Sequence, residues 1–186
     1  MTRLAPLLLL ALAACGDTTP RYLIPAATEA TAPRLALRVA SVEIRQVSLP
    51  AYAADDQLLR EEASGALKPV KSALWADTPN RAITQQLADF IAATSQAQVA
   101  AEPWPLSTPA QAQVDVRVSE LAARLDGQLH LKGQFAVSSY DHLVREAITP
   151  FAIAVPLGSD APAEIARATG AAIDQLGRQI ATSLRR

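Results

Sequence analysis

The sharpest pattern in the chain runs from Val114 to Val137. Val114, Val116 and Val118 alternate with Asp115, Arg117 and Ser119, the period-two signature of a strand with one wet face. Asp126-Gly127 then offers a two-residue hairpin turn, and Leu129, Leu131, Phe135 and Val137 alternate with Gln128, His130, Lys132 and Gln134 on the way back. Gly133 interrupts that return strand and marks either a bulge or a close backbone contact. Phe151, Ile153 and Val155 alternate once more and predict a third strand.

Two stretches repeat at helical spacing instead. Ile83, Leu87, Phe90 and Ile91 fall at i, i+4, i+7 and i+8. Asp77 or Thr78 offers an N-cap and Pro79 suits the first turn, so a helix is predicted to near Thr94. A second stripe, Ile165, Thr169, Ala172, Ile173, Leu176, Ile180 and Leu184, predicts a helix capped at Ser159 or Asp160 with Pro162 in its first turn. Between Arg34 and Arg45 the alternation changes phase once, from Leu35, Leu37 and Val39 to Val42 and Ile44, which reads as a strand carrying a bulge. The run Ala97–Trp104 is a short strand stopped by Pro103 and Pro105. Residues 46–78 are the least regular, with short strands expected around Gln57–Glu61 and Lys71–Trp75. The polar faces of the hairpin put one side of the sheet in water and leave the other to the helices. The expected fold is α+β: a single two-layer domain, a mixed or antiparallel sheet with two main helices on one face.

The first residues follow another logic. Arg3 precedes an apolar run from Leu4 to Ala14, broken only by Pro6. Such a run rises roughly 16 Å as a helix, about half a bilayer core, so it describes a secretory signal peptide and not a membrane span. The small residues end in the only cysteine of the chain, and Leu12-Ala13-Ala14-Cys15 resembles the lipobox of bacterial lipoproteins. That resemblance implies a signal peptide over 1–14 and a mature chain that starts at Cys15. Cys15 would carry the S-diacylglycerol and N-acyl (palmitoyl) groups that anchor it. Two or three acyl chains hold a protein to a membrane almost permanently, where one holds it only marginally. Residues 15–33, rich in Thr, Ala and Pro, read as a lipidated N-terminus and tether, with a short strand expected within 21–25. Gly16 follows the cysteine and Asp17 comes one place later, which favours an outer-membrane position facing the periplasm over the inner membrane.

Composition narrows the function. About 170 mature residues suffice for one domain with a real core. A net charge of −1 without a basic block argues against nucleic acid. With no second cysteine there is neither a disulfide nor a Cys-based metal site. His130 lies by alternation on the wet face of its strand, where a solvated residue is expected. His142 stands near Ser139 and Asp141, but neighbours in one loop do not supply the geometry of a catalytic triad, and no Gly-x-Ser-x-Gly elbow occurs. The pairs Asp55-Asp56 and Glu61-Glu62 cannot cooperate across one bond if they point to opposite faces. No phosphate-binding glycine loop and no metal-ligand spacing is present. The expectation is a non-enzyme without cofactor or metal.

Three stretches carry a family resemblance. Leu49-Pro50-Ala51-Tyr52, then Leu58-Leu59-Arg60, then Leu74-Trp75-Ala76-Asp77 just before the first helix resemble the ABC-type transport auxiliary lipoproteins, the paraquat-inducible protein C (PqiC/YmbA-like) family. The Cys15 lipobox agrees, while Asp55-Asp56 departs from the Leu-Asp-Arg often found after the tyrosine. The resemblance assigns 34–186 to the auxiliary lipoprotein domain. It implies a mixed sheet covered on one face by helices, and a role in envelope lipid transport beside mammalian-cell-entry (MCE) domain proteins and an ABC permease. The alternative is a lipoprotein that stabilises an envelope complex without handling lipid. Tyr52, Leu58 and Trp75 are the candidate partner contacts, for an MCE protein or a second copy in a homo-oligomer. Tyr52 is expected at an edge, where truncation would spare stability, whereas Trp75 has a competing role as a core plug.

Overall fold

The computed structural model describes residues 18–26 and 34–185. The proposed signal peptide, Cys15 and residues 27–33 lie outside the described residues. The elements run β1 (Arg21–Tyr22), β2 (Ser41–Ile44), α1 (Ala51–Ala54), β3 (Gln57–Glu61), β4 (Leu67–Trp75), α2 (Pro79–Thr94), β5 (Gln98–Ala101), β6 (Ala112–Ala123), β7 (Gln128–Ser138), β8 (Ala147–Pro156) and α3 (Pro162–Ser183). All eight strands join one mixed sheet. No described helix is long and apolar enough to cross a membrane.

β6 is the axis of the sheet. On one side it pairs antiparallel with β7, which pairs antiparallel with β8. On the other side its first residues run parallel to β2, and β2 runs parallel to β5. Its last residue, Ala123, pairs with Arg60 of β3, which continues through antiparallel β4 to parallel β1. The alternation read in the sequence decides which face is buried. Val114, Val116, Phe135, Leu131, Ile153 and Val155 point into the core, together with Leu87 and Ile91 of α2 and Ile173, Leu176 and Ile180 of α3. The fold is the expected α+β arrangement.

Several local details differ from the expectation. The bulge sits in β6, where Ser119 is the extra residue between Val118↔Gly133 and Glu120↔Lys132. Gly133 is the close contact there, because a Cβ on it would meet the Arg117 carbonyl oxygen, and Val118 Cα and the Phe151 ring at 2.9 Å. In the 34–45 stretch only Ser41–Ile44 is strand. The residues before it serve the helix ends instead: the Leu35 N–H donates to the Thr94 carbonyl at 2.7 Å, and the Arg38 N–H to the Leu184 carbonyl at 3.1 Å. Carbonyls at a helix C-terminus lack partners inside the helix, and this segment supplies them. The N-cap of α3 is Ala161, without a side-chain cap. Asp160 is drawn away to Arg60 at 2.7 Å, and Ser159 Oγ accepts the Ala161 N–H at 3.3 Å. Thr78 caps α2 by position alone, while the Asp77 carboxylate takes the Thr78 N–H at 2.8 Å and the Arg81 Nε–H at 3.1 Å.

Candidate functional site

The three residues singled out as partner contacts occupy different depths. Leu58 is fully buried, and Trp75 is 7% exposed, with its remaining surface turned to an open groove. Both are large apolar groups on strands whose inner face meets the helices, which is why they complete the core. Tyr52 is half-buried on the short helix α1; its ring packs on the core and its hydroxyl oxygen accepts the Leu121 N–H at 3.3 Å. Its truncation therefore removes packing, contrary to the expectation of unchanged stability.

Trp75 leads to a feature that sequence reading placed only in outline. The segment Pro20–Ala26 lies along the β4 edge and the face of α2. The Leu74 N–H donates to the Pro20 carbonyl at 3.1 Å and the Ala76 N–H to the Tyr22 carbonyl at 2.9 Å. Tyr22 and Ile24 pack inward, whereas Leu23 between them is 74% exposed. Further along, Gln86 of α2 donates from Nε2 to the Pro25 carbonyl at 3.1 Å and to the Gly170 carbonyl at 3.3 Å. Gly170 belongs to this contact, since a Cβ there would strike the Pro25 carbonyl oxygen and press on its ring at 3.3 Å.

This segment, Trp75 and α2 enclose an open groove of about 210 Å³, lined by Tyr22, Leu23, Ile24, Trp75, Ala82 and Gln86, with Asp77, Arg81 and Asp89 at its rim. The Arg81 guanidinium holds the Asp77 carboxyl below the usual carboxylate range. Beneath the rim, Gln86 and Asp174 are 7% and 9% exposed. Burial pushes the Asp174 carboxyl above the usual carboxylate range, against the opposing Gln86 amide at 3.4 Å and the more distant Arg178 charge. The Gln86 amide oxygen has no hydrogen-bond partner. The groove is thus apolar along its floor and charged at its lip, a surface suited to an apolar group that carries a polar end.

The titratable groups considered from sequence are drawn into structural contacts. Ser139 is buried and its hydroxyl donates to the Gln111 carbonyl at 2.9 Å, while His142 is an exposed turn residue at φ 51°, its backbone N–H held by the Ser139 carbonyl at 3.1 Å. His130 Nε2 lies 2.7 Å from Asp126 across the hairpin turn. Asp56 lies 4.0 Å from Arg21, Glu61 pairs with Arg124 at 3.0 Å, and Glu62 with Lys68 at 2.8 Å. Asp55 is exposed just after α1. Among the described residues no group of His, Cys, Asp or Glu is placed to hold a metal ion. Sequence reading missed two polar groups in particular. Glu43 is 7% exposed on β2 and accepts from Gln113 Nε2 at 2.7 Å. Gln86 sits within the apolar stripe region of α2, where only tertiary packing distinguishes it from a surface glutamine.

Comparisons with known proteins agree with this architecture. The crystal structure of an uncharacterized protein matches with a TM-score of 0.67 at 16% identity, over 87% of this chain and 95% of that one. A Xanthomonas campestris protein of the DUF330 family matches with a TM-score of 0.62 at 13% identity, over 89% of this chain and 92% of that one. Identities this low speak for the shared fold alone. A search of curated proteins finds no match. A family model described as the ABC-type transport auxiliary lipoprotein component matches residues 22–181, from β1 into the last turn of α3. The chain belongs to that family of auxiliary lipoproteins of ABC-type transport systems.

Proposed function

We propose that this chain is a non-catalytic, lipid-anchored auxiliary component of an MCE/ABC-type system that moves lipid between the two envelope membranes. Cys15 is its attachment point, and the outer membrane, facing the periplasm, is its station. The single observation that supports the reading is the family match across residues 22–181, which takes in nearly all of the sheet and of the two long helices. The Cys15 lipobox adds the anchor, and the apolar groove with its charged lip is compatible with work on amphiphiles. His130 and His142 take no part in it, and Tyr52 is the remaining candidate for the rim of a partner contact.

Three measurements test this. Capture of the processed chain from cross-linked membranes should bring down an MCE-domain protein and an ABC permease, and a deletion strain should show an envelope lipid defect. Wild type and a His130→Ala, His142→Ala double variant should both restore it, whereas Cys15→Ala should remain as unlabelled precursor in a fatty-acid feeding experiment. Capture of envelope scaffold proteins alone, with lipid exchange unaltered in the deletion strain, would instead establish the structural alternative. Loss of complementation by a stable histidine variant would overturn the non-catalytic assignment.

A further inference from the structure

We infer that residues 20–26 act as a strap that shortens the membrane leash, so that the side of the domain formed by β1 and α2 faces the lipid surface and Leu23 enters it. The inference rests on the reading of Cys15 as the acylated residue and goes beyond it, because an anchor by itself does not orient a domain.

The argument begins with reach. The Pro20 carbonyl is bonded to the body, and only about five residues separate it from Cys15, at most roughly 17 Å of extended chain. Were the strap absent, the next fixed point among the described residues would be Leu35, whose N–H is held by Thr94 and whose carbonyl takes the Gln96 N–H. That leash would be about twenty residues, up to roughly 70 Å, long enough for the domain to turn freely above the bilayer. The strap is the difference between a domain that hangs loosely and one held by its flank.

Its fastenings are specific. The Pro20 and Tyr22 carbonyls take the N–H groups of Leu74 in β4 and of Ala76 just beyond it, Arg21 Nη1 donates to the Trp75 carbonyl at 3.4 Å, and Gln86 joins the strap to α2. Gly170 gives way to the Pro25 backbone where a side chain would collide with it. Within Tyr22-Leu23-Ile24 the flanking residues turn inward and Leu23 stands 74% exposed, beside a groove whose floor is apolar. An exposed leucine within reach of an acyl anchor is suited to the headgroup–acyl boundary, where apolar side chains settle about 5–10 Å deep. The occupant of this flank is therefore a lipid bilayer surface.

The test uses the processed lipoprotein purified from membranes and reconstituted in phosphatidylethanolamine/phosphatidylglycerol vesicles that contain a nitroxide-labelled phosphatidylcholine. Because Cys15 is the only cysteine, Leu23→Cys, Gln85→Cys and Ile148→Cys each accept one environment-sensitive fluorophore. Gln85 is exposed on α2 beside the groove, and Ile148 is 69% exposed on β8 at the opposite edge of the sheet. Labels at 23 and 85 should lose fluorescence to the nitroxide, and the label at 23 should also shift to the blue; the label at 148 should do neither. In Gly170→Ala, where helix propensity is preserved and only the strap is displaced, the loss at 85 should disappear while circular dichroism stays native. Equal quenching at 85 and 148, or quenching at 85 that survives Gly170→Ala, overturns the inference. Mass spectrometry of the same preparations separates the two failures: an acylated Cys15 with symmetric quenching removes the strap alone, and an unmodified Cys15 removes the anchor and the strap together.

Discussion

The two sides of β6 were assembled in different ways. Towards β7 and β8 every neighbour in the sheet is also the next strand in the chain, and the pairing is antiparallel throughout. Towards β2, β3 and β5 the partners are parallel and come from distant parts of the chain, such as Val42 beside Ala112 and Arg60 beside Ala123. Antiparallel neighbours joined by a turn need only local signals, namely alternation and a residue that tolerates positive φ, here Gly127 at φ 76°. Parallel neighbours need a crossover, and nothing near either strand announces which partner it will meet. The comparison shows that the buried sheet is one object whose two halves differ in legibility and not in burial: Leu58 on the parallel side and Leu131 on the antiparallel side are both 0% exposed.

That equality can be broken experimentally, and the largest effects come first. Leu58→Ala and Leu131→Ala should each cost about 3 kcal/mol through lost contacts and the cavity left behind. For a chain of this size such a loss lowers the melting temperature by roughly 6–12 °C, with a single transition in both variants. If Leu58→Ala melts like wild type or in two steps, the parallel half is an attachment and not part of the core. Gly133→Ala comes next, at about 2 kcal/mol of overpacking, because its methyl group would press on the backbone of β6 at the bulge. Denaturant titration should show that loss with an unchanged m-value.

The strap gives a smaller and more local effect. Gln86→Ala should cost about 1 kcal/mol, through loss of the Nε2 donor that serves both the Pro25 and the Gly170 carbonyls. Hydrogen exchange should accelerate at the Leu74 and Ala76 amides, which depend on Pro20 and Tyr22, and stay unchanged along β7. Uniform acceleration across the sheet would mean that the strap is part of the cooperative core. The smallest effect is the pH dependence at Asp174. Burial raises its folded-state pKa above the unfolded value, so the native chain keeps a proton that the unfolded chain has already lost. Stability from this group is therefore present at low pH and declines as pH rises through that window. Asp174→Asn keeps the acceptor towards Gln86 and should melt above wild type at neutral pH, with the gap closing as pH falls into the ordinary carboxylate range. A gap that widens on acidification would contradict the assignment.

Much of the candidate site followed less directly from the sequence than the sheet did. Arg21-Tyr22 is legible as a short strand, but that it docks parallel to Leu74-Trp75, and that its continuation rests on Gln86 and Gly170, depends on where α2 and α3 lie. Leu58 and Trp75 stand out in the sequence as large apolar groups in an irregular stretch, yet hydropathy does not say whether such a residue meets a partner or the protein's own core. The cap residues failed for a similar reason: Asp160 has the chemistry of a cap and a stronger opposite charge, Arg60, within 2.7 Å.

By itself the sequence determined the hairpin β6–β7, strand β8 and the two long helices, because the period of their apolar positions is a local property that every later contact obeys. It also carried the family, through short motifs around Tyr52, Arg60 and Trp75 and the lipobox at Cys15. The tertiary structure alone decided the parallel pairings of β1 with β4 and of β2 with β5 and β6, the burial of Glu43 and Gln86 and the closure of the strap over Gly170. Each of these depends on which distant surface arrives alongside, and a chain records that only in the complementarity of parts that have not yet met.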